Sequence, residues 1–158
     1  MKKIFTLLSI VLLCQTMIFA QKTVNESDVP QRYSNNFKSL TNNDDIKPVW
    51  TLVDSMVYDA TYTNEHGTKM AYRFSPRGTE TRYYIDHKYY PQSIKDTVRY
   101  HYPKFKITEL YVLSVRNKST YQARIAKIGG FLFIKKEKDV KLLNFETGGK
   151  FIDEIDVK

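Results

Sequence analysis

Val57-Tyr58-Asp59-Ala60-Thr61-Tyr62, then Asn64-Glu65-His66-Gly67, then Met70-Ala71-Tyr72-Arg73-Phe74, is the stretch whose pattern decides the architecture. Tyr58, Ala60 and Tyr62 alternate with polar Asp59 and Thr61, the two-residue period of a strand with one buried face. Asn64 to Gly67 is turn chemistry, so the second run folds back on the first as a hairpin. Working outward, Ser75-Pro76-Arg77-Gly78 is another turn, leading into a strand from Thr79 to Ile85. Upstream, Val49 to Val53 passes through Asp54-Ser55 into the hairpin. Four successive strands predict an antiparallel sheet with one packed face and one free face.

A helix is expected just before them. Ser27 or Asp28 suits an N-cap, and Pro30 sits near the first helical position, where its missing N–H costs nothing. Tyr33, Phe37 and Leu40 then form one apolar stripe, ended by Thr41 to Asp45. The same order recurs downstream at a constant spacing: Pro30 matches Pro91, Tyr33 matches Ile94, Phe37 matches Val98, Ile46 matches Ile107 and Trp50 matches Tyr111. After changes of spacing between apolar blocks, Tyr58 and Ala60 match Tyr121 and Ala123, and Tyr72, Phe74 and Gly78 match Leu143, Phe145 and Gly149. Strands follow at Ile107 to Val115, Thr120 to Ile128, Val140 to Phe145 and Lys150 to Ile155, with a long hairpin around Lys135 to Asp139. The expected fold class is α+β: two tandem α-β-β-β-β repeats, about 28–88 and 89–158, forming a continuous antiparallel sheet with helices on one face.

The first 20 residues read as a signal peptide. Lys2 and Lys3 precede an uncharged apolar run from Ile4 to Phe19, shorter than the roughly 20 residues that span a bilayer, and Ala20 offers a small residue for cleavage. The remainder is one domain, periplasmic or secreted. Cys14 is the only cysteine of the chain and falls in that leader, so the rest has neither disulfide nor thiol nucleophile. The formal net charge of +8 would suit nucleic acid in a cytosolic protein. In an exported one it points to solubility or to an acidic partner.

No catalytic constellation is visible. His66, His87 and His101 have no second ligand at metal spacing, and Ser55, Ser75, Ser93 and Ser119 lack a nucleophile-elbow context. The runs Asn42-Asn43-Asp44-Asp45 and Asp153-Glu154-Asp156 are rich in oxygen ligands for calcium but lack the spaced ligand loop. Trp50, Tyr58, Tyr62, Tyr72, Phe74, Tyr111 and Tyr121 fit the packed face. Tyr83 and Tyr84 are adjacent, so one of them must stand on the open face. Arg73, Arg82, Tyr84, Gln122 and Arg124 are the candidate partner-binding residues there, flanked by Thr51, Thr61 and Thr63. Tyr and Arg are the side chains that dominate protein-recognition hot spots.

Val29-Pro30 followed by Phe37, Trp50, the Tyr58-x-Ala60-x-Tyr62 strand, and Gly67 followed by Tyr72 and Phe74 resemble the PepSY-like domain of secreted Bacteroidetes proteins, a family described as β-lactamase-inhibitor-like. The resemblance covers about Asp28 to Lys158. It implies two α-β4 repeats with a continuous concave sheet, a periplasmic or secreted location and no catalysis. The chain lacks the paired cysteines of the inhibitory proteins and has an enlarged second hairpin, so no functional residue is carried over. The expected function is an exported, non-catalytic module that recognises a protein or peptide through the open sheet face. The alternative is a calcium- or small-ligand-responsive periplasmic sensor. Nucleic acid and a membrane span in the mature chain are not expected.

Overall fold

The computed structural model describes residues 22–129 and 136–157. The expected signal segment 1–20, Cys14 and Lys135 lie outside them, while Lys136 to Asp139, expected in the long hairpin, belong to a strand paired with the one before it. The strands are β1 (Lys22–Val24), β2 (Val49–Asp54), β3 (Val57–Thr63), β4 (Lys69–Ser75), β5 (Gly78–Tyr84), β6 (Lys106–Val115), β7 (Lys118–Gly129), β8 (Lys136–Phe145) and β9 (Phe151–Asp156). They join in sequence order into one open sheet, each antiparallel to the next. Among the described residues only α1 (Gln31–Thr41) and α2 (Gln92–His101) are α-helical.

This inventory overturns the α+β expectation: the protein is mostly β, an open antiparallel sheet with two short helices, and not an α+β repeat. The reason is how little the helices bury. Tyr33 and Phe37 are the only buried residues of α1, and Ile94 and Val98 the only ones of α2. Leu40, the third member of the expected stripe, is 47% exposed. The rest of the core comes from strands, three of which run 10, 12 and 10 residues. β1 adds a further strand whose three residues carry too short a pattern to announce it.

The helix ends differ in detail from expectation. Ser27 and Asp28 lie in a 3-10 turn, and Pro30 and Pro91 themselves occupy the N-cap positions. Asn42 closes α1 at φ 49°, the left-handed conformation asparagine tolerates, with its N–H donating to the Lys38 carbonyl.

Two apolar clusters hold the helices to the sheet. Under α1, Tyr33 and Phe37 pack with Trp50, Ala60, Tyr72 and Phe74. Under α2, Ile94 and Val98 pack with Leu110, Ala123, Ile125, Leu143 and Phe145. Cross-strand register links them: Trp50 opposes Ala60, Ala60 opposes Tyr72, Tyr72 opposes Thr81, Thr81 opposes Ser114, and Leu110 on that face opposes Ala123. Both helices therefore cover the same side, and the other side stays open.

The expected match of Trp50 with Tyr111 fails here. Trp50 is buried under α1, whereas Tyr111 opposes Tyr84 and Gln122 and faces the open side. A β-bulge between Ile107 and Glu109 inserts one residue into β6, and one extra residue moves every following side chain to the opposite face. Leu110, not Tyr111, takes the packed position.

Gly149 shows how closely the β8–β9 turn approaches α2. Its φ is +85°, and a Cβ there would lie 2.1 Å from Ser93 Oγ. Gly149→Ala combines left-handed strain with a clash, so a loss of about 2 kcal/mol in unfolding free energy is expected. Chemical denaturation measures it. In a Ser93→Gly background the same substitution should cost clearly less, because only the backbone strain remains; an unchanged cost would mean that the contact does not matter.

Candidate functional site

The open face is a hollow of about 520 Å³. Thr51 and Val53 of β2 line it together with Leu142 of β8 and Val157, just beyond β9. Accumulated right-handed strand twist curls the sheet far enough for strands near both of its edges to face one concavity. Arg73, Arg82, Tyr84, Gln122 and Arg124 all line it. Period-2 alternation explains this: Arg73 pairs with Asp59 and Glu80, Arg82 with Ala71 and Leu113, and Tyr84 with Tyr111, all on one face. Tyr83 points to the helix side, where it is 43% exposed.

The five residues are not equally accessible. Arg82 and Gln122 are buried, at 8% and 6% exposure, whereas Arg73, Tyr84 and Arg124 are half-buried. The floor is an ion-pair cluster. Arg73 donates from Nε and Nη2 to the two Asp59 carboxylate oxygens at 2.7 and 2.8 Å. Arg82 reaches Asp59 and Glu80 only at 3.4 and 3.3 Å. Burial disfavours the charge of Arg73, but the hydrogen bonds and field of Asp59 outweigh it and raise its pKa. Toward the rim, Lys69 pairs with Glu109 at 3.4 Å and stands 4.0 Å from the centroid of the Tyr84 ring. Arg124 is held by Thr108 and Glu137.

Beside the ion pairs runs a hydrogen-bond ladder across four strands. The Tyr111 hydroxyl donates to Gln122 Oε1, Gln122 Nε2 to Asn144 Oδ1, and Asn144 Nδ2 to Asp153 Oδ1. Every donor points toward β9, so the ladder holds the floor rigid and leaves Tyr111 with its ring 5.2 Å from that of Tyr84. Sequence reasoning missed Asp59, Glu80, Lys69, Glu109 and Tyr111 as members of this face. The parity of Asp59 and Glu80 relative to Arg73 and Arg82 could have found those two. Tyr111 was hidden by the bulge.

Five tyrosines report on folding at high pH. Burial, and then the Glu109 carboxylate, push the Tyr84 phenol up to about 12; burial and the Glu154 hydrogen bond raise Tyr102 to about 12. Burial also raises Tyr72, Tyr90 and Tyr111. An unfolded chain ionises these phenols near the ordinary value of 10.0. The folded state then binds more protons, so stability is full below pH 10 and falls as pH rises toward 12. Ionisation of these five phenols and unfolding should coincide in one steep alkaline transition, followed by phenolate absorbance and circular dichroism. Ionisation of Tyr84 and Tyr102 near pH 10 with the fold intact, followed by NMR, would refute this.

The remaining candidates do not converge on one point. Asp153 bonds to Asn144, while Glu154 and Asp156 pair with Lys141 from the opposite face of β9. Asn43 Oδ1 accepts from the Asp45 N–H in the turn after α1. Among the described residues no group of three or more His, Cys, Asp or Glu is placed to hold a metal ion. His66, His87 and His101 are all exposed. No helix among the described residues is long and apolar enough to cross a membrane. Comparison of the chain with models of known families, with curated proteins and with solved structures found no match.

Proposed function

We propose that this protein is an exported, non-catalytic binding module that grips a protein or peptide with the open face of its sheet. The observation that carries this reading is the hollow itself: a rigid, hydrogen-bonded floor of Arg and Tyr side chains, bordered by apolar Val53, Leu113, Leu142 and Val157. Recognition hot spots combine these residue types in preorganised, partly desolvated surroundings. Export and membership of the PepSY-like family belong to the same proposal and rest on the leader and the motifs from Val29 to Phe74.

Affinity capture from the native cell envelope, read by mass spectrometry, tests it. Tyr84→Ala and Arg124→Ala are suitable probes, because both side chains are half-buried on the hollow. Arg73 is a poorer probe, since its loss disturbs Asp59. Each of the two variants should retain melting temperature within a few degrees and lose about ten-fold or more in capture of the same partner. Lys38→Glu and Arg99→Glu, on exposed positions of α1 and α2, should leave capture intact. Loss caused by the helix variants instead would assign the partner to the other side of the sheet.

A further inference from the structure

The floor of the hollow contains a guanidinium with donors to spare. Arg82 is nine-tenths buried. Its Nε–H finds no acceptor among the described residues, and its other contacts with carboxylates are 3.4 Å and 3.3 Å long. Charge-assisted N–H···O bonds ordinarily settle near 2.7–2.9 Å. Asp59, the more buried of the two acceptors, spends both oxygens on Arg73 at such short distances. Glu80 is a partly exposed side chain, free to swing toward solvent. A buried guanidinium left this short of acceptors is costly, because its donors have lost water without full replacement. Tyr111 lies beneath it, with the Arg82 Cζ 5.4 Å from the ring centroid, a cation–π contact that gives Nε no acceptor oxygen.

We infer that Arg82 is the anchor for an acidic side chain, aspartate or glutamate, presented by the partner. This rests on the reading of the hollow as the binding face and adds the chemistry of what enters it. A carboxylate descending into the concavity replaces Glu80 on Nη2 and supplies the short, bidentate contact that the protein's own groups do not make.

The test uses the full chain and a short blocked peptide with a single central glutamate, with the lysine peptide as control. Both are titrated while the Arg82 Nε–H and the backbone amides of β4 to β7 are followed by NMR. The glutamate peptide should shift the Arg82 Nε–H signal and the neighbouring amides of Ala71 and Leu113, and the lysine peptide should not. Glu80→Gln, at a partly exposed position, should tighten the glutamate peptide by about five-fold by removing the competing carboxylate. Arg82→Gln should abolish the response; if that variant fails to fold, the wild-type signal and the Glu80→Gln affinity decide alone. Silence with the glutamate peptide, an equal response to the lysine peptide, or weaker binding by Glu80→Gln would each overturn the inference. If the glutamate peptide is silent while Tyr84→Ala still loses its envelope partner, the acidic anchor falls and the binding face stands. Intact capture by the face variants would instead bring down the face.

Discussion

Asp59→Ala should lower the free energy of unfolding by about 3 kcal/mol or more, one of the two largest single effects expected in this protein. Asp59 is the hub of the buried charges: two short bonds come from Arg73 and a longer one from Arg82, with side-chain exposures of 13%, 26% and 10% in that order. Deleting the carboxylate leaves two guanidiniums facing each other on the floor with only Glu80 to share. Removing one partner of a buried pair costs roughly 3–5 kcal/mol, because the survivor stays desolvated and uncompensated. Arg73 retains some contact with water, which places the expectation at the lower end. The decisive control is the double variant Asp59→Ala, Arg82→Met. Removing the stranded charge should recover at least about 1 kcal/mol relative to Asp59→Ala alone, since replacing a whole buried pair by apolar groups is often neutral. Equilibrium denaturation of both variants measures this. A double variant less stable than the single one would show that Arg82 contributes by packing and not through Asp59.

Phe37→Ala is the second, with an expected cost of about 3–5 kcal/mol. Phe37 is 2% exposed and meets three aromatic rings edge-on, Tyr62 at 5.5 Å, Trp50 at 5.8 Å and Tyr72 at 5.9 Å. It is one of only two buried side chains of α1, so its loss removes much of what fastens that helix. Edge-to-face pairs add to the area term, and a cavity walled by rings on the rigid sheet has little room to collapse. Leu40→Ala, on the same helix, should cost under about 0.5 kcal/mol because that side chain is half in water. Similar costs for the two would mean that α1 is not seated on the sheet through Phe37.

The contrast between Phe37 and Leu40 shows where periodicity was legible and where it stopped. Tyr33, Phe37, Ile94 and Val98 were readable as helix contacts because helical spacing and apolar character coincide there. Leu40 fits the same stripe, yet the helix covers the sheet with a single pair of side chains before it ends at Asn42. The class was misjudged for a related reason. Helical signals in the sequence are as conspicuous as the strand signals, but class depends on what share of the molecule each builds, and that was set by long pairings such as β6 with β7. The candidate residues of the open face were legible because alternation is strict within a strand. Their degree of burial was not, since it depends on how far neighbouring strands curl around them.

Alone, then, the residue pattern determined which segments alternate, where most turns fall, and that Arg73, Arg82, Gln122 and Arg124 stand on the polar side of their own strands. These are consequences of local backbone geometry, where two residues of advance reverse a side chain twice. Only the tertiary structure decided that Tyr111 joins the open face, that Asp59 is the hub beneath it, and that Arg82 is buried with an unpartnered donor. Each of those depends on a bulge, a register or a curl that arises between strands, and no single segment encodes it.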